Sequence, residues 1–76
     1  MNYKDRITSD HKVMLGKPVI RGTRIAVELI LRKMAEGATA NDLLNMYPHL
    51  QQEDVMAALM YACEMLANEE VIELDK

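Results

Sequence analysis

Gly37 and Pro48 punctuate a stretch in which apolar residues recur at helical spacing, and these two breakers limit what the chain can build. A proline removes a backbone donor and clashes with the preceding turn, while a glycine readily takes the left-handed conformation that ends helices. Ahead of Gly37, Val27, Ile30, Leu31 and Met34 are spaced by one helical turn or less. This pattern predicts a first helix over 26–36, with Gly37 as its C-terminal cap. Thr39 is placed to cap a second helix from Ala40, with Asp42 three positions on as a weaker relative of the capping-box glutamate. That helix passes through Leu43 and Leu44 and stops at Pro48. The connector Pro48-His49-Leu50 leads into a third helix. Its first turn holds Glu53 and Asp54 at the positive end of the macrodipole, and it runs to about Asn68.

Ahead of residue 26 the pattern changes. Two stretches, the apolar Val13-Met14-Leu15 and the mixed Val19-Ile20-Arg21-Gly22-Thr23-Arg24-Ile25, flank Gly16-Lys17-Pro18, and the second is rich in β-branched residues. Short β-branched runs bounded by Gly and Pro predict a hairpin or ribbon within a loop-rich β segment over 1–25. The expected architecture is therefore mainly α: one domain over 1–76, with a β segment, a three-helix bundle over 26–68 and an acidic tail over 69–76.

The chain has 76 residues, enough for one core only. A core of this size supplies on the order of 3–5 kcal/mol, so small domains usually rely on disulfides, a structural metal or oligomerisation. Cys63 is the only cysteine, which excludes an intrachain disulfide and fits a reducing compartment. His11 and His49 stand far apart, and neither His nor another Cys lies within four residues of Cys63, so zinc-type ligand spacing is missing. No cofactor is expected. The first residues are polar and no apolar run is long enough to span a bilayer, so the expectation is a soluble cytoplasmic protein without a membrane partner. Oligomerisation is the staple that survives.

The third helix points the same way. Val55, Leu59, Ala62 and Leu66 form one apolar stripe, and Met56, Met60, Cys63 and Ala67 form a second beside it. One stripe suffices for a core. No charged residue occurs from Met56 through Cys63, and such a wide apolar arc exceeds what two short neighbouring helices cover. The surplus marks Met56, Met60, Cys63 and Leu66, with Val71, Ile72 and Leu74 of the tail, as a dimer or partner interface. The competing reading is that the methionines fill gaps in a loose core, which their flexible side chains do well.

Charge is split along the chain. Residues 1–33 carry eight basic and three acidic side chains, a net of +5, whereas residues 34–76 carry one basic and nine acidic, a net of −8. Phosphate binding depends on Lys and Arg, so Lys17, Arg21 and Arg24 are the candidates for contact with nucleic acid or a protein partner. Three helices suggest a helix-turn-helix, yet the third carries no Lys or Arg from Gln51 to Asn68, and its carboxylates would repel a phosphate backbone. Catalysis is not expected. Gly16-Lys17 lacks the earlier glycine and the hydroxyl residue of a phosphate-binding loop, the one serine is Ser9, and no base neighbours Cys63.

The run Gly16-Lys17-Pro18-Val19-Ile20-Arg21-Gly22-Thr23-Arg24-Ile25 resembles the signature of domain-of-unknown-function family 433. The likeness continues at Val27, Ile30, Gly37, Leu43, Leu44, Tyr47-Pro48, Leu50, Glu53-Asp54-Val55, Ala57-Ala58-Leu59 and Tyr61-Ala62. The resemblance implies a homeodomain-like three-helix fold behind a short β segment, often dimeric. It also implies an antitoxin-like role against a small PIN-like nuclease toxin, with possible DNA binding as a dimer. A DNA-binding regulator without a toxin partner and a structural dimerisation module are the alternatives. Ala26 and Gln51 depart from the hydroxyl residues frequent at those positions and are expected to weaken two helix caps, by about 1 kcal/mol each.

Overall fold

The structure, a computed structural model, describes residues 2–68, with the backbone alone at Met14. A 3-10 turn over Tyr3–Arg6 leads into strand β1 (Ile7–Thr8), and a second 3-10 turn over Met14–Gly16 precedes strand β2 (Val19–Ile20). Three helices follow: α1 (Val27–Ala35), α2 (Ala40–Met46) and α3 (Gln52–Ala67). The three-helix arrangement behind an antiparallel two-stranded ribbon agrees with the sequence reading.

The ribbon uses a different first strand from the one expected. β2 pairs with Ile7–Thr8, with Ile7 opposite Ile20 and Thr8 opposite Val19, rather than with Val13–Leu15. The reason is local hydrogen bonding. The Asp10 side chain accepts from Lys12 N–H at 2.9 Å and its carbonyl accepts from Val13 N–H at 2.8 Å, while the Val13 carbonyl takes Gly16 N–H at 3.1 Å. Backbone groups engaged in such a turn are no longer free for a ladder. Leu15 is left in the left-handed region at φ 57 and is exposed.

After β2 the chain reverses through Ile20–Thr23, where Thr23 N–H reaches the Ile20 carbonyl at 3.0 Å and Gly22 sits at φ +81. No atom lies close enough to contact a Cβ at Gly22, so the glycine serves the positive φ of the turn rather than close packing. Thr23 seals the reversal: its hydroxyl donates to Ile20 O at 2.7 Å and accepts from Ile25 N–H at 2.9 Å. Val27 N–H then bonds Pro18 O at 3.0 Å, which sets the start of α1 beside the ribbon.

The helix ends follow the expected breakers. α1 closes with Gly37 N–H on Met34 O and Ala38 N–H on Lys33 O, both 3.0 Å, the paired bonds of a Schellman end with Gly37 at φ +108. At α2, Thr39 Oγ1 accepts from Asp42 N–H at 3.1 Å and Asp42 Oδ2 accepts from Thr39 N–H at 2.9 Å, so aspartate completes the reciprocal box. Ala26 offers no side-chain cap to α1 and is itself buried. Gln51 likewise gives α3 no side-chain cap bond, while Asp54 Oδ2 reaches back to the Gln51 N–H at 2.9 Å. The other oxygen of Asp54 takes Arg6 Nη1 at 3.0 Å.

Ile20, Val27, Ile30, Leu43, Leu50, Val55 and Ala58 form the aliphatic core, with Ile7, Ile25, Leu31, Met34, Tyr47 and Tyr61 packed around it. Ala57 and Ala58, both fully buried, let α3 lie close to its neighbours.

Asp54→Ala removes a helix cap and strands Arg6, whose side chain is about one-third exposed and tempers the electrostatic part. The expected loss is about 2 kcal/mol, a drop of roughly 10 °C in melting temperature for a domain of this size, readable by thermal and urea unfolding.

Candidate interaction surfaces

Successive residues of an α-helix are rotated by about 100°, so the burial of α3 locates its faces. Asp54, Val55, Ala57 and Ala58 are buried, and Tyr61 and Ala62 are half-buried along the same side. The opposite side carries Met56, Leu59, Met60 and Cys63, with Met56 50%, Leu59 40% and Met60 45% exposed. The two stripes read from the sequence are thus regrouped. Val55 goes to the core, whereas Leu59 joins the methionines on an outward back face, and Ala57 and Ala58 take the core positions. Of the expected interface residues, Met56, Met60 and Cys63 lie on this back face. Val71, Ile72 and Leu74 lie outside the described residues.

Leu66 belongs to a second apolar surface. The last turns of α3 extend beyond the core. Tyr61, Met65 and Leu66 there face Pro18, Val27 and Leu31 across an open groove of about 330 Å³. No local sequence pattern marks this groove, because its walls come from Pro18 ahead of β2, α1 and α3 together.

The three candidate cations do not form one patch. Lys17 and Arg24 share a shallow cleft with Arg32 of α1, arranged around Glu28. Glu28 takes Arg32, in a 2.6 Å contact, and Lys17 Nζ at 3.2 Å, and these hydrogen bonds, Arg32 first, hold its carboxyl below the ordinary value. Arg24 is exposed and makes no ion pair among the described residues. Arg21 points elsewhere, its Nε donating to the Asp5 carbonyl at 2.7 Å, in a polar cleft with Asn2, Arg6 and Asp54. Arg32 was not singled out from the sequence, although its place four residues after Glu28 is the spacing of a helical ion pair. On the flank of α3, Tyr3 is desolvated, and this together with the nearby Glu64 carboxylate and Tyr61 pushes its phenol up.

Among the described residues no three His, Cys, Asp or Glu side chains converge as metal ligands, and no helix is long and apolar enough to cross a membrane. These features define a small helical domain fronted by a β ribbon, with apolar surface on its third helix and a separate basic cleft. Residues 7–62 match the family described as Protein of unknown function (DUF433), and the chain belongs to that family.

Two relatives are close enough to compare. The uncharacterized protein y4eO of Sinorhizobium fredii (strain NBRC 101917 / NGR234) is 32% identical over 59 residues, 78% of this chain and 27% of the relative. The crystal structure of a DUF433 member protein from Anabaena variabilis ATCC 29413 superposes with a TM-score of 0.79 at 33% identity, covering 84% of this chain and 63% of that one. The chain thus spans only about a quarter of the first relative's length and under two-thirds of the second's.

Because its folded carboxyl is lowered, the ion pairs of Glu28 are intact above the ordinary glutamate range and are lost as pH falls through the depressed value. A carboxyl-detected NMR titration should find Glu28 below its ordinary midpoint of 4.5 and find it restored toward that midpoint in an Arg32→Ala, Lys17→Ala double variant.

Proposed function

We propose that this protein is an antitoxin-like binding protein, not an enzyme. It neutralises a PIN-like nuclease toxin, dimerises, and binds DNA to regulate its own expression in the cytoplasm. The observation that carries the binding reading is the outward face of α3. Met56, Leu59, Met60 and Cys63 lie together there without an interrupting charge, three of them 40–50% exposed in a domain with a small core. Contiguous exposed apolar surface of this kind favours a partner, and methionine adapts its shape to one. The choice of a nuclease as that partner rests on the family resemblance and on the charge split. An RNA-binding enzyme presents basic surface, to which the acidic half beyond residue 33 is complementary.

A second reading, DNA binding without a toxin, is favoured by one specific feature. Lys17, Arg24 and Arg32 gather around one cleft at the junction of the ribbon and α1, away from the acidic N-terminus of α3. Here the ribbon and α1, not α3, would meet the phosphates.

Two measurements test these readings. The Met56→Glu, Met60→Glu double variant places two charges on already exposed positions and should leave the far-ultraviolet circular dichroism unchanged. It should weaken binding to the cognate nuclease, or self-association as measured by sedimentation, about 1,000-fold or more, the equivalent of about 4 kcal/mol. Unaltered affinity rules the back face out. If DNA is bound through the cleft, affinity falls steeply with salt, and Arg24→Ala reduces the slope of log K against log salt by about 1. A salt-independent complex would exclude that contact.

A further inference from the structure

The groove between α1 and the end of α3 and the basic cleft meet along one border. Lys17 lines the cleft and its neighbour Pro18 the groove, Arg32 lines the cleft and its neighbour Leu31 the groove, and Glu28 belongs to both. On α1, positions 27 and 31 form one stripe and positions 28 and 32 the next, about 100° around the helix, so apolar and charged surface run edge to edge. The groove exposes only apolar atoms. Its far wall is Tyr61, Met65 and Leu66, the last two 51% and 67% exposed. In the cleft Lys17, Arg24 and Arg32 outnumber the one carboxylate, Glu28, and Arg24 makes no ion pair among the described residues.

The two surfaces together constrain their occupant. Sites for small molecules enclose most of the ligand, and this groove is open, so a small amphiphile would leave much of its own surface in water. Nucleic acid satisfies the cations but offers no aliphatic group to the groove. A second copy docked by the same face about a two-fold axis would set an excess of cations against itself. We propose that groove and cleft together bind a segment of another protein in which aliphatic side chains lie beside carboxylates. The aliphatic groups fill the groove between Leu31 and Met65, and the carboxylates reach the cations of the cleft, Arg24 first because its guanidinium is committed to no ion pair there. Apolar burial supplies affinity, and the cations select the partner by sign. The proposal rests on neither the nuclease reading nor the DNA reading, and it leaves Met56, Leu59, Met60 and Cys63 uncovered.

The experiment is a methyl-detected NMR titration of the full chain with a synthetic peptide that alternates leucine and glutamate over about ten residues, longer when extended than the last two turns of α3. The Leu31, Met65 and Leu66 methyls should shift saturably while those of Met56 and Met60 stay in place. Replacing every glutamate of the peptide by lysine, or every leucine by serine, should abolish the shifts. Leu66→Asp and Arg24→Glu, both at exposed positions, should each weaken binding about tenfold or more and leave the methyls of the core residues Ile30 and Leu43 unmoved. Groove methyls that do not respond, a lysine peptide that binds as well as the glutamate one, or shifts centred on Met56 and Met60 would each overturn the proposal. Groove resonances that change on dilution of the protein alone would overturn it by assigning the surface to a second copy. Nuclear Overhauser contacts to these methyls from elsewhere in the same chain that the peptide does not displace would do the same, as would a DNA oligonucleotide that shifts them more strongly than the peptide.

Discussion

The carboxylate of Asp54 ties the N-terminal turn and the ribbon behind it to the start of α3. It is the one buried charged residue among those described, and a buried charge is tolerable only when it is paired and hydrogen-bonded. Both oxygens are used: one takes the Gln51 N–H at the start of α3, the other takes Arg6. Arg6 closes the first 3-10 turn and immediately precedes β1, and its carbonyl accepts Arg21 N–H at 2.8 Å from beyond β2. The Arg21 side chain returns to the Asp5 carbonyl. Two-residue strands are too short to be stable alone. The ribbon therefore owes its place to this chain of polar contacts and to the apolar packing of Ile7 and Ile20 beneath it.

From that anchor the proportions of the helices follow. α3 has 16 residues, about 24 Å, while α1 has nine, about 14 Å, and α2 has seven. The long helix is fixed at its N-terminal end, where the Asp54 contacts and the close packing of Ala57 and Ala58 lie, so its excess length emerges at the C-terminal end. There the core-facing stripe runs past the core and becomes the wall of an open groove. The groove is a consequence of mismatched helix lengths rather than of any unusual residue.

The helices and their ends were legible in the sequence because their signals are local. Gly37, Pro48 and the Thr39–Asp42 pair act within one turn of where they stand, and the helices begin and end there. The β pairing was not legible, since Val13–Leu15 and Ile7–Thr8 offer similar propensity and the choice is made by the Asp10 turn. At Gln51 the weak side-chain cap was legible, but not the Arg6 guanidinium, 45 residues away, that donates to the Gln51 side chain. On α3 the apolar width was apparent but not its division. An alanine pair carries no strong hydrophobic signal, yet Ala57 and Ala58 are both fully buried. Lys17, Arg21 and Arg24 looked like one basic run, but the turn at Gly22 sends Arg21 to a different side from the other two.

The two apolar surfaces of α3 make different demands on whatever covers them. The back face is a row of part-exposed side chains on one helix, Met56, Leu59 and Met60 among them, so an occupant gains from it by bringing a face of its own, as a folded partner does. Its methionines hold no fixed shape that would select one such face, and specificity must come from charge around the rim. The overhanging groove is walled by Leu31 and Pro18 opposite Tyr61 and Met65. It lies beside three cations that discriminate by sign. In a domain with so small a core this second surface matters, because each apolar side chain brought out of water there adds on the order of 1 kcal/mol to a total of only a few.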